Sequence, residues 1–180
     1  VNVYNFAQYY DELIMVGEML QVGYDNNEDR FENEFPAYGM VRWDGSNYRP
    51  VSLGLAGSAR DFVEYDGELI VAGLSKSFAD GTTGHGILSW DGTSWSRLGN
   101  GVDYQVYAVE VFNGDLYAAG DFAEAGEISA NNIARWDGTS WSALDDGLED
   151  PGSSASGSDL TEFDGNLMVG VVLENGQVAR

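Results

Sequence analysis

One phrase recurs three times along the chain and limits the folds that it can adopt. It reads RWDGSNY at 42–48, SWDGTSW at 89–95 and RWDGTSW at 135–141. The first tryptophans of the copies are therefore 47 and then 46 residues apart. A fixed period of this length is typical of repeat architectures such as propellers and arrays. A second phrase keeps the same spacing and ends on a glycine in each copy: Gly17, Gly73, Gly120 and Gly170.

Each repeat carries four short strand signals. In the clearest unit the predicted strands are 106–112, 116–120, 132–136 and 141–144, with turns at Asn113-Gly114 and Asp137-Gly138. The same order recurs at 62–65, 69–73, 86–90 and 95–98, and again at 4–10, 13–17, 39–43 and 48–51. Four antiparallel strands per repeat predict an all-β fold, a β-propeller of four-stranded blades.

The repeats divide the chain into one domain, 1–180, with blades at 1–55, 56–101, 102–148 and an incomplete blade at 158–180. Three complete blades and part of a fourth cannot close a ring of about four to eight blades. We therefore expect a longer chain or several copies that complete one another. In the second case, unpaired strand edges would join the copies into a ring or a fibre.

The repeated Trp-Asp-Gly segment has a structural interpretation that needs no ligand. Aspartate accepts hydrogen bonds from nearby backbone amides, glycine allows the turn, and the aromatic rings pack between blades. A residue that recurs in every repeat serves what every repeat shares. The residues given this structural role are Trp43, Asp44, Gly45, Trp90, Asp91, Gly92, Trp95, Trp136, Asp137, Gly138 and Trp141.

On these residues the chain resembles the WDG-type repeats of the kelch and galactose-oxidase-like propeller superfamily. The segment 106–144, with GDFAEAGEISANNIARWDGTSWSAL, is similar to repeats of fungal cortical polarity-marker proteins and of large secreted bacterial surface proteins. The resemblance implies an extracellular or surface-exposed propeller used for binding and scaffolding. It does not imply galactose oxidase chemistry, because that chemistry needs a cysteine-linked tyrosine and several histidines, and this chain has no Cys and one His.

The charge of the chain excludes some partners. The chain has eight Lys and Arg residues and thirty Asp and Glu residues, which gives a net charge of -22. A nucleic-acid partner would need a basic surface, and an anionic membrane is disfavoured for the same reason. No apolar run is long enough to span a membrane. The partners that we expect are a protein or a glycan, and further copies of this chain.

Binding residues are expected on the longer loops, 18–38, 74–85, 121–131 and 145–157, because function concentrates on loops of a rigid scaffold. They share the end of the blades opposite to the tight turns. The binding candidates are Tyr24, Asp25, Glu28, Asp29, Phe31, Glu32, Asp145, Asp146, Glu149 and Asp150. No cofactor is expected. Calcium is an alternative at Asp25, Glu28 and Asp29, since it favours oxygen ligands, although their spacing does not match an EF-hand.

Catalytic motifs are absent from the sequence. The single histidine, His85, lies in the Gly-rich segment GTTGHG, where an exposed loop side chain is the simplest interpretation. No nucleophile elbow, zinc-protease motif, P-loop or dinucleotide fingerprint occurs. We therefore expect a non-enzymatic binding or scaffold protein. Two alternatives stay open: a subunit of an extracellular fibre or ring assembled by strand complementation, and a glycan-processing enzyme that uses carboxylates.

Overall fold

The structure, a computed structural model, describes residues 2–18, 21–22, 35–36, 39–51, 56–77, 86–148 and 155–173. All regular structure in these ranges is β-strand, and none of them holds a helix that is long and apolar enough to cross a membrane. The strands are β1 (Asn2–Tyr9), β2 (Glu12–Glu18), β3 (Gln21–Val22), β4 (Phe35–Pro36), β5 (Met40–Trp43), β6 (Tyr48–Pro50), β7 (Ala56–Tyr65), β8 (Glu68–Ser77), β9 (Ile87–Trp90), β10 (Trp95–Arg97), β11 (Gln105–Phe112), β12 (Asp115–Asp121), β13 (Glu124–Ala125), β14 (Ile128–Ser129), β15 (Ile133–Trp136), β16 (Trp141–Ala143), β17 (Ala155–Phe163) and β18 (Asn166–Leu173).

Three four-stranded antiparallel sheets follow one another along the chain. The first sheet has the order β1-β2-β5-β6, the second β7-β8-β9-β10 and the third β11-β12-β15-β16. Strands β17 and β18 form a further antiparallel hairpin, and β3 with β4 and β13 with β14 form short ribbons in the connections. The all-β class and the four-stranded antiparallel sheets predicted from the repeats are confirmed.

Most strand limits agree with the sequence pattern, and β7 differs most. The strands of the third sheet lie within one residue of their predicted limits, whereas β7 begins at Ala56 rather than at residue 62. Its partner β8 extends to Ser77, and the ladder passes two register shifts on the way. Those shifts interrupt the alternation of polar and apolar residues, which is the signal that sequence prediction depends on. Strand β17 likewise begins at Ala155, three residues before the predicted fourth unit.

The connections divide between two ends of the sheets. The two-residue turns that join the first and second strand of each sheet lie at one end, together with the Trp-Asp-Gly turns between the third and fourth strands. We call this the hairpin end. The longer connections, such as 122–132 between β12 and β15, lie at the opposite end, which we call the loop end.

The sheets pack face to face, and the core lies in the layers between them. The first and second sheets enclose Ile14, Val16, Met40, Phe62, Val71 and Trp90. The second and third sheets enclose Ile70, Ile87, Val109, Leu116, Trp136 and Trp141. Between the third sheet and the β17–β18 hairpin lie Ala108, Ala119, Ile133 and Leu160. The second and third sheets therefore bury both faces, and the first strands β7 and β11, which contact each other, also contact β1 and β17 respectively.

Candidate functional site

An open cavity of about 380 Å³ lies where the first strands of the four units meet. Its lining comprises Tyr4 of β1, Arg60 of β7, Tyr107 of β11 and Ser158 of β17. Each of these residues is the extra residue of a β-bulge, because the pairing register skips it in its own strand. All four lie in the half of their strand nearer the loop end. Equivalent positions of four repeats thus converge on one site.

The repeated glycine of the second strand accounts for the bulges. Gly17, Gly73 and Gly120 each pair with the residue immediately before the bulged one. A Cβ atom built on any of the three would lie closer to a backbone carbonyl oxygen of the first strand than real Cβ atoms lie. Glycine therefore permits the close approach of the two strands, and the bulge turns the extra side chain toward the cavity.

Arg60 lies between two tyrosine rings in this cavity. Its Cζ atom is 5.3 Å from the ring centroid of Tyr4 and 5.4 Å from that of Tyr107. Both distances are within the range of cation–π attraction, which contributes about 0.5–1 kcal/mol at an exposed site. Its Nε atom is buried and has no hydrogen-bond partner among the described residues. The two rings therefore fix the guanidinium without using its hydrogen-bond donors.

The next residue, Asp61, fixes the backbone beneath Arg60. Its Oδ1 accepts hydrogen bonds from Asn5 Nδ2 at 2.6 Å and from the backbone N–H of Phe62 at 2.8 Å. Its Oδ2 accepts one from the backbone N–H of Val109 at 2.9 Å. In β1, β7 and β17 the residue after the bulge caps the following N–H with its own side chain, but β11 has Ala108 there. Asp61 replaces that missing cap and so ties β7 to β11.

The acidic and tyrosine side chains around the cavity have shifted pKa values. Burial raises the pKa of Asp61, although its three hydrogen bonds oppose the shift. Burial and the negative charge of Asp61 also raise the pKa of Glu110. At the rim, a hydrogen bond to Glu18 raises the pKa of Tyr4, and the pKa of Glu18 is lowered by the same contact. Burial, followed by the charge of Asp121, raises the pKa of Tyr107.

A second cavity of about 320 Å³ lies at the loop end beside β12. The polar side chains that line it shape the surrounding loop. Asp103 Oδ1 accepts hydrogen bonds from the backbone N–H groups of Ala123 and Glu124, at 3.0 and 2.9 Å. Asn132 Oδ1 accepts one from the N–H of Phe122 at 2.9 Å. In the described part of the chain, no group of three or more His, Cys, Asp or Glu residues is arranged to hold a metal ion.

The Trp-Asp-Gly turns lie at the hairpin end, away from both cavities. Asp137 Oδ1 accepts hydrogen bonds from the backbone N–H groups of Thr139 and Ser140, at 2.9 and 2.8 Å. Asp91 and Asp44 make the equivalent bonds in the other two sheets. Hydrogen bonds from Ser140 and Thr139 hold the pKa of Asp137 well below its usual range. The turn glycines Gly45, Gly92 and Gly138 have φ angles of 91°, 94° and 93°.

Four of the five tryptophans of these segments belong to the layers between sheets, whereas Trp43 of the first sheet is half-buried and in none of the described core clusters. Trp136 and Trp141 are paired across β15 and β16 with ring centroids 5.3 Å apart, and they join the core between the second and third sheets. Trp90 and Trp95 form the same pair against the first sheet, at 5.0 Å. In the first sheet Trp43 pairs with Tyr48 at 4.5 Å, so tyrosine takes the place of the second tryptophan.

The binding candidates chosen from the sequence are not part of these cavities where the structure describes them. Asp145 and Asp146 are exposed in the turn after β16, where the carbonyl oxygen of Asp146 accepts a hydrogen bond from Asn131 Nδ2 at 3.0 Å. The remaining candidates lie outside the described residues, as do the calcium candidates and His85: Tyr24, Asp25, Glu28, Asp29, Phe31, Glu32, Glu149 and Asp150. Sequence reasoning missed Tyr4, Arg60, Tyr107 and Ser158, because it expected binding residues on the long loops and these four lie within the first strands of the units.

Fold and site together define an all-β protein of successive antiparallel sheets, with a small cavity where their first strands meet. A scan against protein-family models found no match, and neither did a search of curated proteins.

Proposed function

We propose that this protein is a non-catalytic binding module, that its sheets are blades of a β-propeller, and that it binds a protein or a glycan at the loop end. The observation that carries the proposal is the cavity at the bulges, which is lined by polar side chains of four first strands, in the halves of those strands nearer that end. A site made of a few converging polar groups on a rigid scaffold is typical of ligand binding.

The repetition of one packing mode supports the propeller. In the second sheet Trp90 faces the first sheet, and in the third sheet Trp136 faces the second. The strand order is the same in all three sheets, and β7 and β11 contact the first strands of their neighbours. Blades of a propeller stack in this way around an axis lined by their first strands. Together with the resemblance to WDG-type repeats, this favours a secreted or surface-exposed scaffold.

Carboxylate catalysis receives no support at the most buried acid of the site. Both oxygens of Asp61 already accept hydrogen bonds from Asn5, Phe62 and Val109, which are groups of the fold itself. A general acid or base must instead have an oxygen within hydrogen-bond reach of the substrate. The arrangement is that of a structural carboxylate.

The proposal is tested by blocking one end of the protein at a time. The chain has no cysteine, so a single introduced cysteine can carry a polyethylene glycol chain at one known place. Y104C places it at the loop end, where Tyr104 is 55% exposed and lines the second cavity. S46C places it in the Trp-Asp-Gly turn of the first sheet, at the hairpin end. Binding to glycan and peptide arrays is then compared before and after the attachment.

We expect the attachment at Tyr104→Cys to abolish binding and the attachment at Ser46→Cys to leave it unchanged. Unlabelled variants serve as controls for the substitutions themselves. Loss of binding only on blocking Ser46→Cys would place the binding surface at the hairpin end and refute the proposal. Absence of binding on both arrays would refute it as well.

A second candidate function, assembly of copies into a larger particle, is favoured by the outer face of the β17–β18 hairpin. Phe163 and Met168 are 70% and 49% exposed there, whereas Tyr65 and Ile70, at the equivalent positions of the second sheet, pack against the third sheet. This face therefore fits another sheet of the same kind. Light scattering of the 180-residue chain tests it: a multimer that dissociates in M168D supports assembly, and a monomer at all concentrations refutes it.

A further inference from the structure

Arg60 has an arrangement that the paired arginines of this acidic protein lack. Arg42, Arg49 and Arg135 form ion pairs with carboxylates, at 3.2, 2.9 and 2.7 Å respectively. Arg60 forms no ion pair with any carboxylate of the described residues, although the chain carries thirty acidic side chains. Its charge is instead held over two aromatic rings beside a cavity.

The guanidinium is held in place before any ligand arrives. The rings of Tyr4 and Tyr107 lie within cation–π distance of its Cζ atom, and the bulge at Arg60 is fixed by the hydrogen bonds of Asp61 to Asn5 and Val109. A side chain that is already ordered loses little conformational entropy on binding. Arginine also presents its donors in a rigid planar fork that matches the two oxygens of a carboxylate.

The other groups of the cavity indicate the rest of the ligand. Tyr4, Tyr107 and Ser158 contribute hydroxyl groups. The hydroxyl of Ser158 donates a hydrogen bond to the carbonyl oxygen of Gly170 at 3.0 Å and that of Tyr4 is hydrogen-bonded to Glu18, so both offer a ligand their oxygens as acceptors. These groups complement the hydroxyls of a polyol. The volume of about 380 Å³ lies within the range of about 300–1,000 Å³ that small-molecule sites occupy.

We propose that the cavity binds a hydroxylated carboxylic acid of the uronic acid class, with its carboxylate on the guanidinium of Arg60 and its hydroxyls on Tyr4, Tyr107 and Ser158. This inference rests on the proposed binding function and names the chemistry of its ligand. The uronic acid is either a free acid or the terminal residue of a polysaccharide, because both present the same carboxylate and ring hydroxyls.

The charge of the protein gives the interaction a distinctive salt dependence. Glu18 and Asp121 lie near the tyrosines of the site, and the chain carries a net charge of -22. An anionic ligand is therefore repelled over a long range and attracted only at contact. Salt reduces the long-range repulsion first, since the screening length is about 8 Å at 0.15 M. We expect association to become faster as salt rises from low concentration to that level.

The test is calorimetric titration of the 180-residue chain with sodium glucuronate, using glucose as the matched neutral sugar. We expect glucuronate to bind and glucose to bind at least about tenfold more weakly, which corresponds to about 1.4 kcal/mol. R60Q should abolish glucuronate binding, and R60K, which keeps the charge but loses the fork, should weaken it about tenfold. R49Q is the matched control: it removes the same charge from an exposed arginine and should leave binding unchanged.

The outcomes separate this inference from the proposed function. Equal binding of glucuronate and glucose, or equal losses in R60Q and R49Q, would overturn the role of Arg60. If glucuronate fails to bind while the arrays still show binding at the loop end, the inference is wrong and the proposed function stands. A disaccharide ending in glucuronate separates the two sources, because tighter binding than the free acid indicates a polysaccharide end. Thermal unfolding of each variant verifies that it folds.

Discussion

The indole groups of Trp141 and Trp95 provide a matched test of how the sheets are held together. Both are the second ring of a cross-strand tryptophan pair, Trp136–Trp141 and Trp90–Trp95. Trp141 Nε1 donates a hydrogen bond to the carbonyl oxygen of Leu98, at 2.8 Å. Trp95 Nε1 is buried and has no partner among the described residues. The same substitution to phenylalanine therefore removes a satisfied donor at one position and an unsatisfied donor at the other.

The difference in free energy of unfolding follows from these contacts. Trp141→Phe loses one neutral hydrogen bond, a net contribution of about 1 kcal/mol. The carbonyl oxygen of Leu98 stays partnered, because it also accepts a hydrogen bond from the N–H of Gly101 at 3.0 Å. Trp95→Phe removes a buried unpaired donor, which recovers at least about 1 kcal/mol. Since both variants lose the same ring volume, Trp141→Phe should be less stable than Trp95→Phe by about 2 kcal/mol.

Urea unfolding followed by far-UV circular dichroism measures this difference. In thermal unfolding it corresponds to a Tm about 4–8 °C lower for Trp141→Phe, for a chain of this size. Trp90→Phe and Trp136→Phe are the controls, because these rings are 9% and 8% exposed and their substitution reports the cost of a smaller ring in each layer. Equal stability of Trp141→Phe and Trp95→Phe, after this correction, would refute the assignment of the hydrogen bonds.

Three further predictions concern the bulges and the turns. Asp61→Ala should lower the free energy of unfolding by about 2–4 kcal/mol, since it leaves the N–H of Val109 and the side-chain amide of Asn5 without an acceptor. If urea unfolding shows little loss of stability, this prediction is wrong. Gly120→Ala should cost about 3 kcal/mol or more through collision with backbone atoms, whereas Gly114→Ala, with free space and a φ of 87°, should cost about 1–2 kcal/mol. Because the pKa of Asp137 is lowered, its contribution to the stability of the fold is present above its ordinary pKa of about 3.9 and is lost as the pH falls. Urea unfolding at pH 7 and at low pH measures this contribution. Asp137→Asn should be less stable than the unmodified chain at pH 7 and equally stable in acid.

The class of the fold and most strand limits could be predicted because they depend on local sequence. The alternation of polar and apolar residues and the two-residue turns can both be recognised from a few neighbouring residues. The predicted turn at Asn113-Gly114 has positive φ at both residues, as such hairpins require, and so do the turns at Asp66-Gly67 and Asp164-Gly165. The β-ladder beyond the bulge of β7 could not be predicted, because an inserted residue breaks the alternation while the pairing continues.

The candidate site could not be predicted, because it depends on contacts between repeats. Tyr4, Arg60, Tyr107 and Ser158 are distant in the sequence and comprise three residue types, yet each one is skipped by the register of its own strand. A signal does exist for three of them: Tyr4, Arg60 and Tyr107 each follow the residue that pairs with the repeated glycine of the second strand. In the fourth unit the repeated glycine, Gly170, pairs with Asp159, the residue after Ser158. Finding it requires the register of every hairpin, and the sequence alone does not give the position of a bulge.

The hydrogen bond from Val109 to Asp61 illustrates why the repeats must be read for their differences. Three of the four first strands have an Asn or Asp after the bulge, and the fourth has Ala108. Unlike Asn or Asp, that alanine has no side-chain oxygen to accept a hydrogen bond from the next backbone N–H. In the structure the cap comes from the neighbouring sheet, and Ala108 packs against Leu160 of the next unit instead. Residues that every repeat shares build each sheet and much of the packing between sheets. Residues that differ at one equivalent position add the hydrogen bond between β7 and β11 and give the cavity its charge. A functional site in a repeat protein is therefore best sought at equivalent positions that carry different residues in different repeats and lie close together in the structure.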